Sequence, residues 1–231
     1  MNSRWIDIDT KNGNNFKGYL SLPPTGTGPG IVLIQEIWGV NEHIRAVADQ
    51  YAMDGYVVLA PDVFWRLEPG VNLDYVEEDT KKAYGFRKTV DTDLATQDMA
   101  KAAALLRSLP ETKGGVASIG YCYGGLLSYL TAASGAVDAA ICYYPGGIEN
   151  YLGKAADVRV PILFHFAGDD DHISMETVDG VKKMFADARN AVVDVYAGVD
   201  HGFNCWGRPS YNQKAAAVAR GLSLSLLGKV L

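Results

Sequence analysis

The chain passes from a short apolar strand at residues 116–119 to a helix over residues 122–133 through Gly120-Tyr121-Cys122-Tyr123-Gly124. So abrupt a change needs a bend in which side chains at the outer positions would strike neighbouring strands, and both outer positions are glycine. The middle residue, Cys122, is pushed out at the end of a strand and at the start of a helix, where the helix dipole favours an anion. A dinucleotide loop would need its second glycine where Cys122 stands, so that use of the turn is excluded. Residues 114–137 carry no charge, but six are Gly and seven are Ser, Thr or Tyr, which suits buried strand, turn and helix rather than a membrane span.

The flanking sequence repeats the same grammar. Residues 31–34, 56–60, 139–144, 162–167 and 192–196 are apolar runs of strand length, as expected of strands covered on both faces. Between them lie helical faces: Ile44, Val47, Ala48 and Tyr51 behind Asn41 as N-cap, then Ala95, Met99, Ala102 and Leu106. Further on, Val178, Val181, Phe185 and Ala188 follow Ser174 as cap, and Ala215, Ala219, Leu222 and Leu226 form the inner face of a closing helix. Ahead of this alternation, residues 4–9 and 16–22 read as two strands joined by a turn at Asn12-Gly13. Residues 62–90 are charged and irregular, read as a loop with a short helix. The expected fold is α/β, a mostly parallel sheet with an N-terminal antiparallel hairpin and helices on both faces. One domain spanning residues 1–231 is long enough for a full core.

Charge and cysteine usage narrow the partners. The balance of 21 Lys and Arg against 27 Asp and Glu gives −6, with no basic run, which argues against nucleic acid and acidic membranes. Cys122, Cys142 and Cys205 are widely spaced, without a C-x-x-C, so neither a disulfide framework nor a thiolate metal site is expected. The N-terminus has no apolar signal region, and a cytoplasmic protein is expected, a monomer or small homo-oligomer needing no cofactor.

Sheets of this kind bind ligands at the carboxyl ends of their strands, so the residues just past each strand are the ones with chemical meaning. Gly120–Gly124 is G-x-S-x-G with cysteine in the serine position, which makes Cys122 a candidate nucleophile and the Tyr123 amide a candidate oxyanion donor. A nucleophile needs a base, and the base needs an orienting acid. Downstream come Gly168-Asp169-Asp170-Asp171-His172 and then Asp200-His201-Gly202-Phe203, in the acid-then-histidine order of α/β-hydrolases. His201, in a glycine-flanked loop, is the expected base; any of the three aspartates could be the acid. His43 reads as a solvated surface histidine, and His165 as part of the sheet. Glu36 and Ile37 close the first apolar strand, with Trp38 as a pocket wall or core residue. Cys142 reads as a buried structural thiol.

These segments resemble the dienelactone hydrolase family of the α/β-hydrolase superfamily. The resemblance runs through Gln35-Glu36-Ile37-Trp38-Gly39, Ala60-Pro61-Asp62, the Cys122 turn, Gly168–Asp171 and His201-Gly202-Phe203. It implies an α/β-hydrolase fold with a Cys122–His201–Asp171 triad, the amides of Ile37 and Tyr123 as oxyanion hole, and a Glu36 that keeps the resting thiol protonated. It also implies a small ester or lactone as substrate and a thioester intermediate. The family holds its substrate's carboxylate with two arginines. At those places this chain has Thr80 or Lys81, and Cys205, so Lys81 and Cys205 are the expected substrate contacts, with Arg87 and Arg208 as alternative sources of charge. Two other readings fit the same scaffold: an idle ligand-binding protein, and a thiol-dependent acyl transferase.

Overall fold

A computed structural model describes residues 2–10 and 13–231. The turn expected at Asn12-Gly13 lies partly outside the described residues. Eight strands form one sheet: β1 (Asn2–Asp9), β2 (Asn15–Leu22), β3 (Gly28–Ile34), β4 (Val57–Pro61), β5 (Thr112–Tyr121), β6 (Ala139–Tyr143), β7 (Ile162–Ala167) and β8 (Ala191–Tyr196). Their order is β1-β2-β4-β3-β5-β6-β7-β8, antiparallel as far as the β2–β4 pairing and parallel from there on. The N-terminal hairpin and the mostly parallel sheet are therefore present as expected. Ile31, Val32, Leu33 and Ile34 are wholly buried, so both faces of β3 are covered, which is why that strand reads as a continuous rather than alternating apolar run.

The helices are α1 (Glu42–Met53), α2 (Glu77–Thr89), α3 (Thr92–Ser108), α4 (Tyr123–Ala133), α5 (Met175–Met184) and α6 (Gln213–Val230), with a 3-10 helix at Ile148–Asp157. Asn41 caps α1 by accepting from the Ile44 amide, and Ser174 caps α5 by accepting from Thr177. The closing helix buries Ala215 and Ala219 as expected, but its second half turns a different set of residues inward. Its buried face is Ala215, Ala219, Ser223 and Leu227, while Leu222 is exposed. Ser223 faces inward because its hydroxyl joins Tyr143 at 2.8 Å and His165 at 3.0 Å, a polar contact that hydrophobic spacing does not reveal.

The segment at 62–90 holds a helix of 13 residues rather than a short one, and only Ala83 of α2 is buried. The decisive topological feature is the reversal at β3: the chain moves to β4 on one side of it, then crosses to β5 on the other. The carboxyl ends of β3 and β5 thus flank a crevice. Glu36 and Ile37 follow the first, and Cys122 follows the second.

Candidate active site

The bend after β5 is built as its spacing implies. A Cβ on Gly120 would stand 1.8 Å from the Gly124 carbonyl oxygen, and one on Gly124 would stand 2.4 Å from the carbonyl oxygens of Ile34 and Gln35. Cys122 between them has φ 54° and ψ −117°, a conformation that costs a non-glycine residue about 1–3 kcal/mol. The bend is held by the Cys122 amide donating to Tyr143 O at 3.0 Å, and by the Gly125 and Gly146 amides donating to Cys122 O at 2.9 and 3.1 Å. Cys122 opens into a pocket of about 190 Å³ shared with Ile37, Trp38, Tyr123 and His201. Tyr123 is the first residue of α4, so its amide has no acceptor within the helix.

His201 follows β8 and is buried, as is the acid it pairs with. That acid is Asp170, not Asp171. The Asp170 carboxylate lies 2.9 and 3.1 Å from His201 Nδ1 and also accepts from the amides of His172 and Ile173 at 2.8 and 2.9 Å. Asp171, one residue on, is largely exposed, and its carboxylate lies 3.4 Å from His172 Nε2 rather than against His201. The physical reason is the turn. Asp170 closes it by accepting two of its amides, which fixes that side chain on the inner side. Burial lowers the Asp170 carboxyl's capacity for charge, but the His201 imidazole and the two amides outweigh this and hold its pKa below the ordinary value. For His201 the balance runs the opposite way: burial pulls it down, but the Cys122 sulfur and the Asp170 carboxylate push it up to about 10.

Glu36 is buried, and burial raises its pKa although Arg208 opposes the shift. Among the described residues its hydrogen bond is with Arg208, at 3.3 Å, and it makes none with Cys122. Arg208 lies 5.0 Å over the Trp38 ring and lines the pocket. It is seated against Gly202, whose φ is +82° and where a Cβ would stand 2.1 Å from Arg208 Nη1. Arg87 of α2 also lines the pocket, 4.3 Å over the Tyr123 ring.

Trp38 is both wall and core: it is buried, borders the pocket, and donates from Nε1 to Thr80 Oγ1 at 3.2 Å, tying β3's loop to α2. Lys81 is not a pocket residue. It extends into solvent and pairs with Glu77 one helical turn away. Cys205 likewise does not line the pocket; it is buried beside Glu36 and Tyr75, and burial pushes its thiol up to about 12. Residues that the sequence did not single out are Tyr84, Gly146 and Gly147 of the pocket wall, and Tyr144, whose ring packs 4.9 Å from that of His201. Tyr144 has φ 34°, directly after β6.

His43 is buried rather than solvated, its ring 4.3 Å from Trp206 in an edge-on contact, and burial pulls it down to about 4. His165 is wholly buried in the sheet, and so is Cys142. Glu36, His43 and Cys205 bring ligand-type atoms within 4.8 Å of one another. The cluster already contains a cation, the Arg208 guanidinium paired to Glu36, which works against a metal ion there. The described residues include no helix long and apolar enough to cross a membrane.

The sheet order and the bend after β5 define an α/β-hydrolase. Residues 16–231 match the family model described as "Dienelactone hydrolase family". The chain is 32% identical over its whole length to a carboxymethylenebutenolidase of Pseudomonas sp. (strain P51), covering 97% of that protein. It is 30% identical to carboxymethylenebutenolidase 1 of Cupriavidus pinatubonensis, covering 98% of this chain and 97% of that one. A dienelactone hydrolase-like promiscuous phosphotriesterase from metagenomic libraries superposes with TM-score 0.81 at 23% identity, covering 99% of this chain and 98% of that one. A dienelactone hydrolase of Anabaena variabilis superposes at 0.72 and 16%, covering 99% and 98%; at such identities both structures speak for the fold alone. The chain belongs to the dienelactone hydrolase family, and is a hydrolase of ester or lactone bonds.

Proposed function

We propose that this protein hydrolyses small lactones or esters that carry a carboxylate, using Cys122 as nucleophile, His201 as base and Asp170 as the acid that orients it. His201 takes the Cys122 proton as the sulfur attacks the carbonyl carbon. The charge that develops on the carbonyl oxygen is met by the amides of Ile37 and Tyr123. Collapse breaks the bond to the ring or alkoxy oxygen, which leaves with the proton from His201, and the acyl group remains on sulfur as a thioester. His201 then takes a proton from water, the hydroxide carbon–oxygen bond forms, and the thiolate departs. Asp170 keeps the imidazole in the tautomer with Nε2 available and offsets its charge while it holds the proton. Against the pull of burial, the Cys122 sulfur and the Asp170 carboxylate raise the His201 pKa, which supports its part as acceptor of the nucleophile's proton.

The observation that carries the choice of an acidic substrate is the pair of arginines in the pocket, Arg87 and Arg208. Neither stands where the family's arginines align in sequence, yet both border the Cys122 pocket and offer planar, two-pronged donors suited to a carboxylate. Arg208 is paired with Glu36, so a substrate carboxylate competes with Glu36 for the same guanidinium. In this arrangement Glu36 is held by Arg208 until substrate arrives. The Carboxymethylenebutenolidase names of the curated relatives point to the same chemistry.

The test is turnover of a five-membered enol lactone bearing a free carboxylate, followed by loss of its ultraviolet absorbance. The wild-type protein is expected to open it, and Arg208→Ala to raise KM by about tenfold or more. Turnover of neutral esters with none of the carboxylate lactone would contradict the acidic substrate.

A further inference from the structure

The glycines around Cys122 are of two kinds. Gly120 and Gly124 are demanded by the fold, because a Cβ at either would strike a carbonyl oxygen, at 1.8 and 2.4 Å. Gly146 is not. Its φ lies outside the left-handed region that favours glycine. A Cβ there would stand 3.6 Å from Cys122 Sγ and 3.9 Å from Cys122 C, ordinary contacts, and within 4 Å of no other atom beyond its chain neighbours. Backbone and packing would accept alanine, and glycine carries a cost in conformational entropy that neither offsets. What the absent side chain leaves is room above the sulfur, in the pocket that Gly146 and Gly147 line.

That wall is fixed. The Gly146 amide donates to Cys122 O at 3.1 Å, the Cys122 amide to Tyr143 O at 3.0 Å, and the Tyr144 amide to His165 O at 2.7 Å. Between these bonds Tyr144, at φ 34°, turns the chain out of β6. A wall bonded to both peptide groups of the nucleophile cannot retreat from an added atom without moving the sulfur.

When the thiolate has attacked, the former carbonyl carbon carries four groups. Sulfur is one, the oxyanion faces the Ile37 and Tyr123 amides, and the leaving oxygen faces His201. The fourth is the acyl chain. We propose that substituents on its α-carbon lie against the bare Gly146 wall, so that this enzyme takes esters and lactones alkylated next to the carbonyl, with residue 146 setting that selectivity. This deepens the reading of Cys122 as hydrolytic nucleophile and rests on it. An α-substituent is three bonds from the sulfur, which brings it to van der Waals distance of Sγ, where a Gly146 Cβ would stand. The wall is backbone CH2, so it suits an alkyl group, and the argument is independent of the substrate's charge.

The experiment compares p-nitrophenyl acetate, propionate and isobutyrate, which differ only in methyl groups on the α-carbon, with 2-naphthyl acetate, in which only the leaving group changes. The wild type is expected to cleave the isobutyrate within about thirtyfold of the acetate in kcat/KM. Gly146→Ala should lower the isobutyrate about tenfold to a hundredfold more than the acetate, the range that one methyl group commands in a pocket, with the propionate between. The naphthyl ester should follow the acetate. The variant's Tm should match or exceed that of the wild type, since alanine restricts the unfolded chain. Gly146→Ser, with one atom more, should deepen the loss on the propionate. An equal loss on acetate and isobutyrate would put the methyl's effect on the sulfur itself and overturn the proposal. So would an unchanged isobutyrate-to-acetate ratio, a loss that grows with the leaving group, or a wild type more than about thirtyfold worse on the isobutyrate. If the wild type cleaves none of the esters, or Cys122→Ala cleaves them equally well, the hydrolytic reading fails and takes this one with it.

Discussion

His201–Asp170 and His172–Asp171 are the same two functional groups, set side by side, yet they differ in every property that decides chemical use. The first pair is almost wholly buried, with side-chain exposures of 3% and 1%; the second stands at 44% and 70%. The first is joined at 2.9 Å and the second at 3.4 Å. In the buried pair the low dielectric strengthens the attraction, and two backbone amides finish the carboxylate's coordination, so the imidazole is locked in one orientation. In the exposed pair water screens the attraction, which makes the contact worth little to stability and leaves the ring free to meet a ligand. Burial, rather than residue identity, separates an imidazole held in one orientation from one left open to solvent.

The largest effect expected from this contrast is on the bases themselves. His201→Ala should lower kcat/KM by about 10³ or more, whereas His172→Ala should cost the acidic lactone no more than about thirtyfold. Equal losses would erase the distinction. Next come the acids: Asp170→Asn should reduce kcat by about 10²–10⁴, because the imidazole loses both its orientation and its countercharge, while Asp171→Asn should stay within about fivefold. Steady-state kinetics of the two variants read this directly, and reversal of their order would restore Asp171 as the orienting acid.

A third test concerns stability and pH. The folded His201 holds its proton to about 10, against an ordinary value of 6.5. A pKa raised by folding contributes stability that is complete below the unfolded value and is lost as pH rises through the folded one. The advantage of wild type over His201→Gln in urea unfolding should therefore be greatest near pH 6 and shrink toward pH 10; a gap that widens would contradict the sign. The smallest effect belongs to the arginine seat. In Gly202→Ala the new methyl displaces the Arg208 tip and sits at φ +82°, so a loss of about 1–2 kcal/mol in stability and a severalfold higher KM for the acidic lactone are expected. An unchanged KM would detach Arg208 from substrate binding.

What could be read in the sequence follows from the range over which each signal acts. Gly120 and Gly124 announce the bend because their clash is local, within a few residues and the adjoining strand. The apolar runs announce the sheet because each strand's burial is written in its own residues. Asp170 and Asp171 could not be told apart, since three consecutive aspartates differ only in which one the turn's amides capture. His43 reads as exposed because the Trp206 that covers it comes from the far end of the chain. Arg87 and Arg208 enter the pocket from α2 and from the loop past His201, and no spacing rule connects them to Cys122. Leu222 follows the helical period and is nevertheless exposed, because Ser223 is drawn inward by Tyr143 and His165.

The account turns most directly on Cys122. The decisive measurement is kcat/KM of Cys122→Ala toward an activated ester, on protein whose circular dichroism and unfolding transition match the wild type. A fall of at least about 10³ is predicted, since alanine keeps the strained bend but removes the atom that bonds to the acyl group. Turnover within about tenfold of wild type would contradict it, and another group would have to be doing the chemistry.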